Sequence, residues 1–172
     1  MLYNLNIEQY KNERSKDEET NMLLIELLNI NNIKLDVEAS DWEQAIDLGG
    51  SILLQEGLIE PRYLEAIKET KKKLGPYIVI APGIAISHSK PEDGALNMGM
   101  SLVRLKEPID FGHQTNGPVK LLFTLAATDK KAHLEALKQL MHIFLRKKDM
   151  NILLNSQDIE EIAKVISKHS RN

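Results

Sequence analysis

The stretch that decides the fold is GPYIVIAPGIAISH, residues 75–88. Its β-branched run at 77–80 predicts a short strand, and the Pro-Gly pair at 82–83 predicts a turn. Residues 84–86 predict a second strand, which leads directly into Ser87 and His88. A histidine is therefore expected at the point where a strand ends.

Two longer apolar runs follow, at about 96–105 and 119–126, and they are typical of strands covered on both faces. Helical patterns flank the strands on both sides. Ser40 to Glu43 fits a capping box, Pro61 suits a first helical position, and Gly57 and Gly75 are natural stops. Further helices are predicted at about 130–146, capped by Thr128 or Asp129, and at 156–169. This order predicts an α/β fold with a mixed β-sheet and not regular βαβ repeats.

Length and composition narrow the function classes. The chain has 172 residues, 42% hydrophobic and 27% charged, which is enough for one globular domain with some extra chain. It has no cysteine, which excludes disulfides, thiolate zinc sites and cysteine nucleophiles. A net charge of -3 and only 5% aromatic residues argue against a nucleic-acid partner. No signal peptide or spanning segment is visible, which predicts a cytoplasmic protein.

The chain is expected to divide at residue 32. Residues 1–20 are polar and rich in both charge signs, 22–28 form a short apolar helix candidate, and the Asn-rich run 29–32 ends it. We therefore expect a helical N-terminal extension over 1–32 and the main domain over 33–172. The apolar run 22–28 also suggests a homodimer contact.

Histidine is the one reactive residue type present in quantity, with five copies. Nucleotide-binding fingerprints and metal-binding histidine pairs at i,i+4 spacing are absent from the sequence, so no cofactor and no metal are expected. His142 falls on the polar side of its helix. His133 falls on the apolar side, in the first turn, where a helix attracts anions. Its simpler interpretation is a partly buried histidine bonded to a carbonyl.

His88 lies between two serines and is either an exposed loop residue or a nucleophile. A carbonyl accepting one ring N–H would leave a lone pair on the other nitrogen near neutral pH. Gly83 would permit close backbone approach, and Ser87 and Ser89 would offer hydroxyls to phosphate oxygens. These residues predict an anion or phosphoryl site that contains His88 and His133.

The run 75–88, with LAATD at 125–129 and His133, resembles the enzyme IIA components of the mannitol/fructose type in the bacterial sugar phosphotransferase system. Within that group it is most similar to the ascorbate branch, and the likeness covers about residues 33–170. The resemblance implies a three-layer α/β/α sandwich on a mixed β-sheet, the mannitol-type enzyme IIA fold.

The resemblance also implies a mechanism. His88 would accept the phosphoryl group from phospho-HPr and pass it to a cysteine of the cognate enzyme IIB. His133 would be the second active-site histidine. A chain without cysteine fits a separate A component, which meets the membrane enzyme IIC only indirectly, for uptake of ascorbate or a related sugar or pentitol.

The chain departs from the family pattern at two positions. Ser87 stands where proline is common before the active histidine, and Lys72 falls where mannitol-type members have an arginine, so no role is assigned to Lys72.

Two alternative functions stay open. One is a regulatory module of the same fold whose phosphorylation is read by a partner protein. The other is a small metal hydrolase that uses His88 and His133 to hold zinc or manganese.

Overall fold

The computed structural model describes residues 24–170. Its strands are β1 Ile33–Val37, β2 Val79–Ala81, β3 Ile84–Ser87, β4 Gly99–Ile109 and β5 Val119–Ala126. They form a five-stranded mixed sheet in the order β1-β4-β5-β3-β2. The β1–β4 and β3–β5 pairs are parallel, whereas the β2–β3 and β4–β5 pairs are antiparallel. The predicted mixed sheet is confirmed.

Helices cover both faces of this sheet. The helices are α1 Leu24–Leu27, α2 Trp42–Gln55, α3 Pro61–Leu74, α4 Lys130–Phe144, α5 Lys147–Asn155 and α6 Ile159–His169, with 3-10 turns at Ile30–Asn32 and Pro91–Asp93. One hydrophobic cluster joins α2 and α3 to one face of the sheet, and a second joins α1, α4, α5 and α6 to the other. This is the expected three-layer α/β/α arrangement. None of the helices in residues 24–170 is long and apolar enough to cross a membrane.

The central strands are apolar throughout because both of their faces are covered. In β3, Ala85 packs toward α2 and α3, whereas Ile86 packs in the opposite cluster. In β5, Leu122 packs toward α2 and α3, and Phe123 packs in the opposite cluster. The prediction of strands buried on both faces is therefore confirmed for this part of the sheet.

Local capping signals set the helix ends. Pro61 is the first residue of α3, and Asp129 caps α4 by accepting a 2.8 Å hydrogen bond from the Ala132 backbone N–H. The predicted Ser40 cap is wrong by one residue. Asp41 caps α2, because its Oδ1 accepts from the Gln44 N–H at 2.8 Å.

A buried arginine ties the sheet to α5. The Arg104 side chain is 1% exposed and donates to both carboxylate oxygens of Asp36, at 3.1 and 3.3 Å. It also donates to the carbonyl oxygens of Leu153 and Ser156, at 3.1 and 2.7 Å. Arg104 lowers the pKa of Asp36 by hydrogen bonding to its carboxylate. The sequence predicted neither β1 nor α5, the two elements that this arginine joins.

The apolar segment at 24–28 packs inside the chain. Leu24, Leu27 and Leu28 are almost completely buried, and the backbone N–H groups of Leu24 and Ile25 donate to Gln139 Oε1 and Ser170 Oγ. These leucines are therefore not available for a dimer contact. The rest of the predicted extension, residues 1–23, lies outside the described residues, and the division of the chain at residue 32 stays a prediction.

Candidate active site

The structure brings His88 and His133 together at one edge of the sheet. His88 directly follows β3, and His133 lies near the start of α4, which follows β5. Because β3 and β5 are parallel neighbours paired at Ser87 and Thr124, their carboxyl ends meet at the same edge. The two imidazole rings have centroids 4.9 Å apart and are inclined at 61°.

The tautomer of His88 is set by its own strand. Its Nδ1 lies 2.8 Å from the Ile86 carbonyl oxygen, which can only accept, so Nδ1 carries the ring proton. Burial lowers the pKa of His88, although the hydrogen bond to Ile86 acts in the opposite direction. The ring is therefore mostly neutral at pH 7. Its Nε2 then holds a lone pair, which is the requirement for a nucleophile.

His133 is also neutral at pH 7. Burial, with a smaller contribution from the neighbouring His88, lowers the pKa of His133 to about 4. It lies in the first turns of a 15-residue helix, where backbone N–H groups and the helix dipole favour a negative charge. A neutral imidazole and a helix N-terminus thus lie beside the nucleophilic ring.

Two tyrosines, for which the sequence predicted no role, hold the backbone around His88. The Tyr77 hydroxyl donates to the His88 carbonyl oxygen at 2.9 Å, and the Tyr77 ring packs edge-on to the imidazole, with centroids 5.6 Å apart. The buried Tyr63 hydroxyl contacts the backbone of Ser89 and Leu125. Tyr77 lies inside the 75–88 run, whereas no local pattern marks Tyr63.

Ser89 adjoins the histidine but already has a partner. Its hydroxyl donates to Asp93 Oδ2 at 2.5 Å, and the same carboxylate oxygen accepts from the Lys90 N–H at 3.2 Å. The loop after His88 is therefore closed on Asp93. The Ser89 hydroxyl would have to exchange that partner to reach a phosphoryl group.

Ser87 and Gly83 are not brought to the histidine pair. Ser87 is completely buried and, by strand alternation, lies with Ala85 on the face covered by α2 and α3, opposite to α4. Gly83 lies at the other end of β3, five residues before His88 and roughly 16 Å away along an extended strand. Its φ of 74° suits a turn, where its N–H donates to the Asn116 carbonyl. Neither residue therefore places a side chain beside the two imidazole rings, and the predicted shell stays a prediction.

The other three histidines lie elsewhere. His142 is exposed on α4, as predicted, and His113 Nδ1 accepts from the Asn116 N–H in the loop between β4 and β5. His169 forms a buried pair with Asp149 at 2.6 Å. Lys72 pairs with Glu43 and Glu69.

The described residues offer no metal-binding cluster. Between residues 24 and 170, no group of three or more His, Cys, Asp or Glu side chains could hold a metal ion. In the described residues, His88 and His133 are therefore not joined by a third such side chain that would complete a metal site.

Comparison with known proteins assigns the chain to a family. The sequence profile for the EIIA 2 component of the phosphoenolpyruvate-dependent sugar phosphotransferase system matches residues 26–169. Over 139 residues the chain is 37% identical to an ascorbate-specific PTS system EIIA component from Salmonella choleraesuis (strain SC-B67), covering 80% of this chain and 90% of the relative.

Solved structures agree with this assignment. The solution structure of the mannitol-specific cryptic phosphotransferase enzyme IIA CmtB from Escherichia coli has a TM-score of 0.77 at 34% identity, covering 86% of this chain and 99% of that one. An Escherichia coli mannitol enzyme IIA, solved in complex with phosphorylated enzyme IIB, shares the fold with a TM-score of 0.71 at 22% identity, covering 80% and 95%. The chain therefore belongs to the EIIA 2 family of the phosphoenolpyruvate-dependent sugar phosphotransferase system, whose members are phosphotransferases that carry phosphoryl groups between proteins.

Proposed function

We propose that this protein accepts a phosphoryl group from phospho-HPr on His88 and passes it to a cysteine of a cognate enzyme IIB. The observation that carries the proposal is the Nδ1 hydrogen bond of His88 to Ile86, which leaves Nε2 as the nucleophilic atom. His133 lies beside that ring at a helix N-terminus, where a phosphoryl group would be stabilised.

The first step needs no separate base. The Nε2 lone pair attacks the phosphorus of the donor phosphohistidine, and an N–P bond forms as the donor's N–P bond breaks. The electron pair of the broken bond stays on the donor nitrogen. His88 keeps its Nδ1 proton throughout, and the ring becomes cationic. The Ile86 carbonyl oxygen, which accepts from that N–H, stabilises the positive charge.

The second step reverses the first at the same atom. A thiolate of enzyme IIB attacks phosphorus, an S–P bond forms, and the Nε2–P bond breaks with its electron pair returning to Nε2. This restores the neutral ring. Phosphoryl transfer of this kind depends mainly on positioning and on stabilising charge on the oxygens. The neutral His133 would donate a hydrogen bond to one of those oxygens.

The absence of cysteine from residues 1–172 and the similarity to known proteins support enzyme IIB as a partner. Because residues 1–172 contain no cysteine, the accepting thiol lies outside them. A related enzyme IIA forms a complex with phosphorylated enzyme IIB, which supports the same partner here. The ascorbate-specific relative supports ascorbate or a related sugar as the transported molecule. We place the protein in the cytoplasm, with the membrane enzyme IIC as an indirect partner.

One experiment tests the proposal. The pure protein is mixed with phosphoenolpyruvate, enzyme I and HPr, and its intact mass is measured before and after acid treatment. We expect one acid-labile phosphoryl group, absent without HPr and absent from His88→Ala. Addition of enzyme IIB should then remove it. No phosphorylation under conditions that label a control enzyme IIA would overturn the proposal.

The addition of enzyme IIB distinguishes a transport role from a regulatory role. A protein that accepts the group but passes it to no enzyme IIB would instead favour the regulatory alternative, in which a partner reads the phosphorylated state.

A further inference from the structure

Two tyrosine hydroxyls reach the backbone of His88 and Ser89 from different parts of the fold. Tyr63 belongs to the first turn of α3, and Tyr77 lies between α3 and β2. We propose that Tyr63 and Tyr77 are positioning residues for phosphoryl transfer, which hold the His88 backbone so that Nε2 faces the incoming group. This inference rests on the proposed function of His88.

Tyr77 fixes the histidine itself. Its hydroxyl donates to the His88 carbonyl oxygen at 2.9 Å, while its ring packs edge-on against the imidazole at an interplanar angle of 75°. Burial, helped by Tyr63 and Asp93, raises the pKa of Tyr77, so the hydroxyl stays protonated and able to donate. One side chain thus restrains both the backbone and the ring of His88.

Tyr63 joins the segments that carry the two histidines. Its side chain is 1% exposed, and its hydroxyl donates to the Leu125 carbonyl oxygen at 2.8 Å while accepting from the Ser89 N–H at 3.0 Å. Ser89 follows His88, and Leu125 lies near the end of β5, whose continuation leads into α4 and His133. The phenol oxygen is therefore a direct bridge between these two segments.

His88 needs such restraints because it lies just beyond β3. Past Ser87 the chain leaves the pairing with β5, so strand hydrogen bonds no longer set its position. The Nδ1 bond to Ile86 fixes the ring only if the His88 backbone is itself held. A misplacement of about 1 Å can cost up to about 100-fold in rate when a reaction depends on positioning.

The test compares Tyr77→Phe and Tyr63→Phe with a matched control, Ser101→Ala. The Ser101 hydroxyl is also buried and also donates to a backbone carbonyl, at 2.7 Å, but that carbonyl belongs to Gly49 in α2 and to neither histidine segment. Each folded protein is mixed with phospho-HPr in single-turnover experiments, and the affinity for HPr is measured separately. The ring tautomer of His88 is measured by nitrogen-15 NMR without any phosphoryl donor.

We expect Tyr77→Phe to slow transfer by about tenfold at unchanged HPr affinity, with a measurable rise in the Nε2-protonated tautomer. Tyr63→Phe should slow transfer in the same way, whereas Ser101→Ala should react at the wild-type rate. A purely structural role would lower the stability of all three without changing the tautomer.

The outcomes separate this inference from the proposed function. If the wild type accepts the group and both tyrosine variants match it in rate and tautomer, the inference is overturned and the proposed function stands. If the wild type accepts nothing, the proposed function fails, and the inference that rests on it fails too. Should Tyr63→Phe not fold, Tyr77→Phe carries the test alone.

Discussion

The Nδ1–H group of His88 donates a hydrogen bond to the carbonyl oxygen of Ile86, two residues earlier in the same chain, at 2.8 Å. The strand that leads to the histidine thereby selects which ring nitrogen holds the reactive lone pair. The acceptor in this hydrogen bond is a backbone carbonyl and not a second side chain. The arrangement keeps Nδ1 protonated before and after transfer, so the two steps can run in either direction on Nε2.

His88→Ala is expected to abolish phosphoryl uptake while leaving the fold intact, because the residue lies after the end of β3 and outside both hydrophobic clusters. Uptake is measured as acid-labile phosphate per chain after incubation with phosphoenolpyruvate, enzyme I and HPr. His142→Gln is the control, since that histidine is exposed on α4 and should be labelled like the wild type at His88. A His88→Ala protein that still gains a full equivalent on histidine would contradict the assignment.

His133→Ala is expected to slow transfer by about 100- to 1000-fold without abolishing it, the usual effect of removing one group that stabilises developing charge. The nucleophile and its tautomer remain, because the Nδ1 bond of His88 does not involve His133. His133→Gln keeps an N–H donor and should retain part of the rate. Single-turnover transfer from phospho-HPr measures both variants. Equal rates for His133→Ala and the wild type would remove His133 from the mechanism.

Much of the fold could be predicted because its signals are local. The apolar runs of the central strands, the first helical residue Pro61 and the cap Asp129 are visible within a few residues. β1 could not be predicted, because only Ile33 of its five residues is buried and the pairing register shifts between Lys34 and Val37. Within that shift Asp36 has a φ of 54°, which breaks the two-residue strand period.

The site was predictable only in part, because sequence neighbours are not always neighbours in space. His88 and His133 could be identified from adjacent strand and helix signals. Gly83 and Ser87 are close to His88 in sequence. The extended strand nevertheless carries Gly83 to its far end and turns Ser87 to the opposite face of the sheet. Tyr63 could not be found, since its partners lie 26 and 62 residues away.

Gly49→Ala is expected to destabilise the fold, although alanine is ordinarily the better helix former by about 1 kcal/mol. A Cβ at position 49 would lie 2.6 Å from Thr124 Oγ1, a stiff side chain at the centre of the sheet. Overpacking of this kind costs roughly 1–3 kcal/mol. Urea unfolding of both proteins measures the difference.

The matched background is Thr124→Ala, which removes the clashing hydroxyl. In that background Gly49→Ala should no longer destabilise the protein and should become neutral or stabilising. Among the described residues the Thr124 hydroxyl has no hydrogen-bond partner, so its removal leaves no polar group unpaired. Additive effects of the two substitutions would show that the contact is not the cause.

Acid is expected to destabilise the protein partly through His133. Its pKa is about 4 in the folded chain, against an ordinary value of 6.5, so the unfolded chain binds the proton more tightly. Stability therefore falls as pH drops below about 6.5, and the loss is complete below about pH 4. Between pH 7 and pH 5 this linkage amounts to about 2 kcal/mol of unfolding free energy.

The test is urea unfolding of the wild type and His133→Gln at pH 7 and pH 5. Over this interval the loss of unfolding free energy should be smaller in His133→Gln than in the wild type by about 2 kcal/mol. If His133→Gln and the wild type lose stability equally, His133 does not remain neutral in the folded protein at pH 5, and the burial of its ring does not control its charge.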